Sequence, residues 1–123
     1  MRVLLAEDNP DNREMLARRL ERRGFIVDCA EDGALAVAAA NQNRPDIVLM
    51  DVSMPVMSGL EATRALRASP ETADLKIIAL TAHAMGSARE DCLAAGCDAF
   101  ATKPVDFAAL VEMIDTIAGK PAR

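Results

Sequence analysis

The sequence predicts a doubly wound α/β fold, a five-stranded parallel sheet with five helices on both faces. Three observations carry this. Short apolar runs alternate with longer stretches of helical periodicity along the whole chain. Most runs are continuously apolar, as strands buried on both faces of a parallel sheet must be. Capping and turn residues separate each run from the helix that follows. Strands alternating with helices imply right-handed crossovers, with helices on either side of the sheet. Residues 1–123 read as one domain, with no linker, repeat or low-complexity segment.

The first run, Val3-Leu4-Leu5-Ala6, is a buried strand. The next helix begins at about Asn9, with Pro10 in its first position, and stops before Gly24. Met15, Leu16 and Leu20 share its apolar side, and Arg18, Arg19, Arg22 and Arg23 decorate the rest. Phe25-Ile26-Val27 runs on into Asp28 and Cys29, a mixed pattern suited to an edge strand. An alanine-rich helix extends from Ala34 to about Asn41 and closes at the turn before Pro45. Ile47-Val48-Leu49-Met50 is the third strand. The helix after it starts near Gly59, carries Leu60, Thr63 and Leu66 at helical spacing, and ends before Pro70. Ile77-Ile78-Ala79-Leu80 is the fourth strand, followed by a helix from about Ser87 to Ala95 that Gly96 stops. The weaker Ala99-Phe100-Ala101 is the fifth. The last helix has Asp106 as cap and Phe107, Leu110, Val111, Ile114 and Ile117 on one stripe, until Lys120 and Pro121 end it.

Composition narrows the function. The chain is 51% hydrophobic with three Phe and no Trp or Tyr, so aliphatic side chains build the core. A net charge of −5 argues against nucleic acid, whose binding depends on clustered Lys and Arg. No apolar run approaches the ~18 residues needed to cross a membrane, and the N-terminus does not read as a signal peptide. Cys29, Cys92 and Cys97 form no metal-like pattern and read as reduced thiols of a cytoplasmic protein.

In an open parallel sheet, ligands bind outside the carboxyl ends of the strands, where the strand order reverses. The informative residues are therefore those just after each run. They are Glu7-Asp8 after the first, Asp51 after the third, Thr81 after the fourth and Thr102-Lys103 after the fifth. If strands 1, 3, 4 and 5 are neighbours, with strand 2 outside strand 1, these groups meet on one rim. Three carboxylates in one crevice repel one another unless a cation joins them. A hard divalent ion with oxygen ligands answers that problem, and Mg2+ is the natural one. A carboxylate can also act as a nucleophile on phosphorus. Such a reaction needs in-line positioning and neutralised phosphoryl oxygens, which Mg2+, Lys103 and the Thr81 hydroxyl would supply.

Four segments carry a family resemblance: L-L-A-E-D-N, L-M-D-V-S-M-P-V-M-S-G-L, A-L-T-A-H-A-M and the K-P after the fifth run. In this order and spacing they resemble the receiver domain of two-component response regulators, over the entire chain. The resemblance implies the strand order 2-1-3-4-5. It implies Asp51 as phosphoacceptor, with Glu7, Asp8, Asp51 and the backbone carbonyl of Ser53 as the Mg2+ site, Glu7 acting through a water. Thr81 and Lys103 resemble the switch hydroxyl and the phosphate-pairing lysine. Phe100 falls at an aromatic switch position, and the Lys103-Pro104 bond is expected cis. Ser53 and His83 sit where receivers tune the lifetime of the phosphate. Implied partners are a histidine kinase or histidine phosphotransfer protein, docking on helix 1, and an output protein. That output face would include helix 4, Met85, strand 5 and helix 5.

Glu7 stands where Asp is commoner and Phe100 where Tyr is frequent, which removes a hydroxyl that partners would sense. The bland readings are a capped turn at Asp51, a helix-capping pair at Glu7-Asp8, and a solvated charge at Lys103. Each holds for one residue and fails for the set. An aspartate-nucleophile phosphatase would carry its nucleophile after strand 1 with a second acid two residues on. Here Asp51 follows strand 3 and residue 53 is Ser. A flavin or nucleotide module would need a Gly- or hydroxyl-rich phosphate loop, where this chain has Glu7-Asp8. The reading is thus a phosphoaccepting signalling domain rather than an enzyme with a separate substrate, either standing alone or part of a hybrid histidine kinase.

Overall fold

The computed structural model describes residues 1–82 and 87–118, residues 87 and 88 by their backbone alone. Among them the chain forms β1 (Arg2–Ala6), α1 (Pro10–Arg22), β2 (Ile26–Ala30), α2 (Gly33–Gln42), β3 (Ile47–Asp51), α3 (Gly59–Ala68), β4 (Lys76–Thr81), α4 (Ser87–Ala95), β5 (Ala99–Thr102) and α5 (Phe107–Ile117). The strands pair in parallel in the order β2-β1-β3-β4-β5. His83 and Met85 lie outside the described residues, as do Lys120 and Pro121.

Alternation along the central strands divides the core between two faces. Leu4, Ala6, Val48, Met50, Ile77 and Ala79 point to one side, where Ala36 and Ala40 of α2, Ala62 and Leu66 of α3, and Cys92 of α4 cover them. Val3, Leu5, Ile47, Leu49, Ile78 and Leu80 point to the other and meet Leu16 and Leu20 of α1 with Leu110 and Ile114 of α5. Small alanines let α2 lie close to the sheet. The aliphatic composition explains how two thin apolar layers pack without large aromatics.

The helices begin where side chains satisfy their free N–H groups. Asn9, Asp32 and Asp106 accept from the backbone N–H of Asn12, Leu35 and Ala109. Ser58 and Glu61 form a reciprocal capping box at α3. After α1, Gly24 takes φ +94, a conformation that L side chains rarely adopt, which ends the helix and turns the chain toward β2.

Two sequence expectations shift. β2 starts at Ile26 and runs to Ala30, because it pairs with β1 from Arg2↔Ile26 to Ala6↔Ala30, and backbone pairing rather than apolarity sets its ends. As an edge strand it tolerates Asp28, which Arg2 pairs at 2.9 Å, and leaves Ile26 exposed. Met15 does not join Leu16 and Leu20 in the core but is 52% exposed, since the core stripe of α1 is narrow.

The far end of the sheet is tied by Arg67 of α3. Its guanidinium donates to the carbonyls of Gly96, Ala73 and Leu75 and pairs with Asp98 at 3.1 Å. The cysteines are all free. Burial pushes the Cys97 thiol up to about 11, against the hydroxyl contact from Thr63, and raises Cys92 as well. Cys29 is exposed at the sheet edge. A thiol reagent near neutral pH should therefore modify Cys29 alone, and the other two only after unfolding. Mass spectrometry of the native and urea-treated protein reads this directly; two or three modified thiols in the native protein would contradict the packing.

Candidate functional site

Strand order places the site. β2 lies to one side of β1 and β3 to the other, so the chain reverses direction of winding between β1 and β3, and a crevice opens above their carboxyl ends. Ala6 pairs with Met50 and Asp51 with Leu80, which brings Glu7 and Asp8 beside Asp51. Thr81 pairs with Thr102, and the Lys103 N–H donates to the Thr81 carbonyl at 2.8 Å, so Lys103 arrives at the same rim. The Lys103-Pro104 bond is cis.

The side chains converge. Glu7 and Asp51 are each only 3% exposed, and Thr81 is buried beside them at the end of β4. The Lys103 ammonium reaches Glu7 Oε1 and Asp51 Oδ2, both at 2.9 Å. The second oxygen of Glu7 accepts from the Asn9 N–H at 3.1 Å, and Asp51 Oδ1 accepts from the Ser53 N–H at 3.2 Å. One carboxylate oxygen each of Glu7, Asp8 and Asp51 lies within 4.8 Å of the others. Burial works against the charge on Lys103, but its hydrogen bonds to Asp51 and Glu7 and their negative charges hold its pKa above the usual lysine value. It is thus a permanent cation at neutral pH.

Three carboxylates facing one ammonium leave an excess of two negative charges in a partly desolvated crevice. That excess, with oxygen donors alone, fits a hard divalent cation such as Mg2+. The six residues singled out in the sequence, Glu7, Asp8, Asp51, Ser53, Thr81 and Lys103, stand on this one rim. Phe100 is half-buried against the core under α4, with the Arg89 guanidinium 5.6 Å from its ring centroid.

The response regulator receiver domain family model matches residues 3–115. The chain belongs to that family. Receiver sequences similar to it occur in proteins of very different length. It is 40% identical over 122 residues to the hybrid signal transduction histidine kinase I of Dictyostelium discoideum, matching 94% of this chain but only 7% of that protein. It is 33% identical to the polar-differentiation response regulator DivK of Brucella anthropi, with 95% of both chains matched. Among solved structures, the receiver domain of a sensor histidine kinase from Pseudomonas aeruginosa is 39% identical and superposes with a TM-score of 0.90, over 96% of this receiver and 97% of that chain. That structure has a magnesium ion coordinated in its active-site cleft. The family is one of signalling domains in two-component and phosphorelay systems, and the receiver fold expected from the sequence is the one found. Among the described residues of this receiver, no helix is long and apolar enough to cross a membrane.

Three further residues support the site in the structure. Asn9 reads as a helix cap, yet its N–H also fixes the Glu7 carboxylate. Arg13, on the first turns of α1, donates to the Glu7 carbonyl at 2.9 Å. Nothing in the string separates it from the other arginines of that helix. Gly59 is the third. A Cβ there would lie 2.0 Å from the Asp51 carbonyl oxygen, so α3 can start against the end of β3 only because residue 59 has no side chain. In the same loop the Met57 N–H donates to the Pro55 carbonyl at 2.7 Å, closing a γ-turn with Val56 at φ 67, and Val56 projects into solvent at the rim.

Proposed function

We propose that this receiver takes a phosphoryl group onto Asp51 from a phosphohistidine donor, in a Mg2+-dependent reaction, and thereby switches its binding to an output protein. The observation that carries the reading is the buried Asp51 carboxylate, held by Lys103 at 2.9 Å with Glu7 and Asp8 within 4.8 Å. An Asp51 oxygen attacks phosphorus, the P–O bond forms as the donor's P–N bond breaks, and the electron pair stays with the imidazole. Glu7, Asp8, Asp51 and the Ser53 carbonyl would hold the Mg2+, which neutralises charge on the phosphoryl oxygens when bound. Lys103 is placed to pair with the same oxygens, and the Thr81 hydroxyl to donate to one. In this reading residues 1–123 serve as one phosphoaccepting domain rather than a turnover enzyme.

The donor, a histidine kinase or histidine phosphotransfer protein, would dock on α1. Arg19 and Arg23 each lie 5.9 Å from the Phe107 ring of α5. Beside them a groove of about 560 Å³, lined by Met15, Leu16, Arg19, Val105 and Phe107, leads to Glu7 and Lys103. An apolar floor under a basic rim suits a helical partner with acidic flanks. Once acquired, the dianion would draw Lys103 and Thr81 toward itself and bias the α4–β5 face, where Phe100 sits under Arg89. The same reading assigns the reaction to the cytoplasm, and the three free cysteines support it.

The deciding test is a small phosphodonor such as acetyl phosphate. The protein should gain one phosphoryl mass with Mg2+ and none with a chelator. Asp8→Asn should weaken Mg2+ binding by roughly tenfold or more, since it removes a full charge from a partly desolvated site. Labelling without Mg2+, or an unchanged Mg2+ titration of the variant, would overturn the reading.

A further inference from the structure

Asp8 presents a problem of position. Its carboxylate lies within 4.8 Å of those of Glu7 and Asp51, two like charges that push it away, and it is the exposed member of the three. Lys103 binds Glu7 and Asp51. Among the described residues, no hydrogen bond or ion pair reaches the Asp8 carboxylate itself. Whatever holds Asp8 in the cluster must act through its backbone.

Arg13 does so. From α1 its Nη1 donates to the Glu7 carbonyl at 2.9 Å and reaches the Asp8 carbonyl at 3.5 Å. Its own backbone is fixed, since the Arg13 N–H donates to the Asn9 carbonyl at 2.9 Å as part of the first turn of α1. The loop is thus gripped from behind, by a rigid helix, at the two residues that carry the acids. The site then has two cations with different work. Lys103 binds carboxylate oxygens directly and must compete with any ion that comes to them. Arg13 binds backbone carbonyls and occupies no carboxylate oxygen.

We propose that Arg13 is a positioning residue for the Mg2+ site: its guanidinium holds the Glu7-Asp8 backbone so that the Asp8 carboxylate stays aimed at Asp51. The inference rests on the metal reading above but adds a residue that is not itself a ligand. Outer partners that orient ligands commonly change metal affinity by tenfold or more when removed.

The sign of the effect separates positioning from simple charge. Arg13 is a cation near a cation site, so by Coulomb's law its removal should tighten Mg2+ binding. A positioning role predicts the reverse. Calorimetric Mg2+ titration of Arg13→Ala should show affinity weaker by about tenfold, with a urea midpoint close to that of the unmodified protein. Arg13→Lys keeps the charge but offers a single compact ammonium in place of the planar fork, and should fall between the two. If Arg13→Ala binds Mg2+ as tightly as the unmodified protein, or more tightly, the proposal is wrong. Should Arg13→Ala fail to fold, Arg13→Lys decides: twofold or greater weakening supports the role and unchanged affinity removes it. Asp8→Asn serves as the control. If that variant also titrates normally, the metal site itself fails; if it weakens while the Arg13 variants do not, only the positioning role fails.

Discussion

Asp51→Asn should abolish phosphoryl uptake, by roughly 10³-fold or more, while leaving the protein folded. The carboxamide is nearly the same size, and its oxygen can still accept from the Ser53 N–H that now bonds Asp51 Oδ1. What disappears is the proposed nucleophile. An amide oxygen has neither the charge nor the basicity to attack phosphorus, and no other carboxylate on the rim has the same placement. Glu7 is the other buried acid, but it follows β1 rather than β3, and its Oε2 is turned back onto the Asn9 N–H at the start of α1. Stability should change by no more than about 1 kcal/mol, because two opposed effects nearly cancel. One ion pair with Lys103 is lost, while repulsion among three carboxylates is relieved and Lys103 keeps Glu7 as its partner. Intact-mass analysis after incubation with acetyl phosphate and Mg2+, together with thermal unfolding, measures both. Retained labelling would move the acceptor elsewhere.

The second large effect is structural and originates outside the charged set. Gly59→Ala should lower stability by about 3 kcal/mol, a Tm drop of roughly 10 °C for a domain of this size. The new Cβ would fall 2.0 Å from the Asp51 carbonyl oxygen and 2.8 Å from its carbonyl carbon. Backbone cannot yield as a flexible side chain can, so α3 must move off the strand end. That movement also breaks the bond from the Gly59 N–H to the Val52 carbonyl, now 3.0 Å, which closes the loop carrying Ser53. Phosphoryl uptake should slow together with the loss of stability, because the same shift displaces Asp51. A variant with unchanged Tm and unchanged uptake would mean that the helix start has slack which the close contact denies.

How much of this was legible beforehand follows from the kind of signal each residue gives. The central strands were visible because burial on both faces demands unbroken apolar runs, as in Ile47-Val48-Leu49-Met50. Helix starts were visible wherever a cap was local, as with Asn9 and Asp106. Glu7, Asp8, Asp51, Thr81 and Lys103 could be picked out because each directly follows a run. The edge strand was less legible. Its extent follows from pairing with β1, and a pairing partner lies outside the local window. Met15 was misplaced because helical spacing fixes a direction on the helix but not the width of the surface that covers it.

By itself, then, the sequence determined the layer order, the strand ends at which chemistry can occur, and a charge inventory suited to a divalent cation. Those are properties of short windows and of residue types, and they survive without coordinates. Only the tertiary structure decided that Lys103 binds Glu7 and Asp51 together, that Arg13 grips the acid loop from behind, and that residue 59 must lack a side chain. These depend on distances between residues far apart in the chain or on which way a side chain leaves its helix. Such distances are set by packing, which no local pattern encodes.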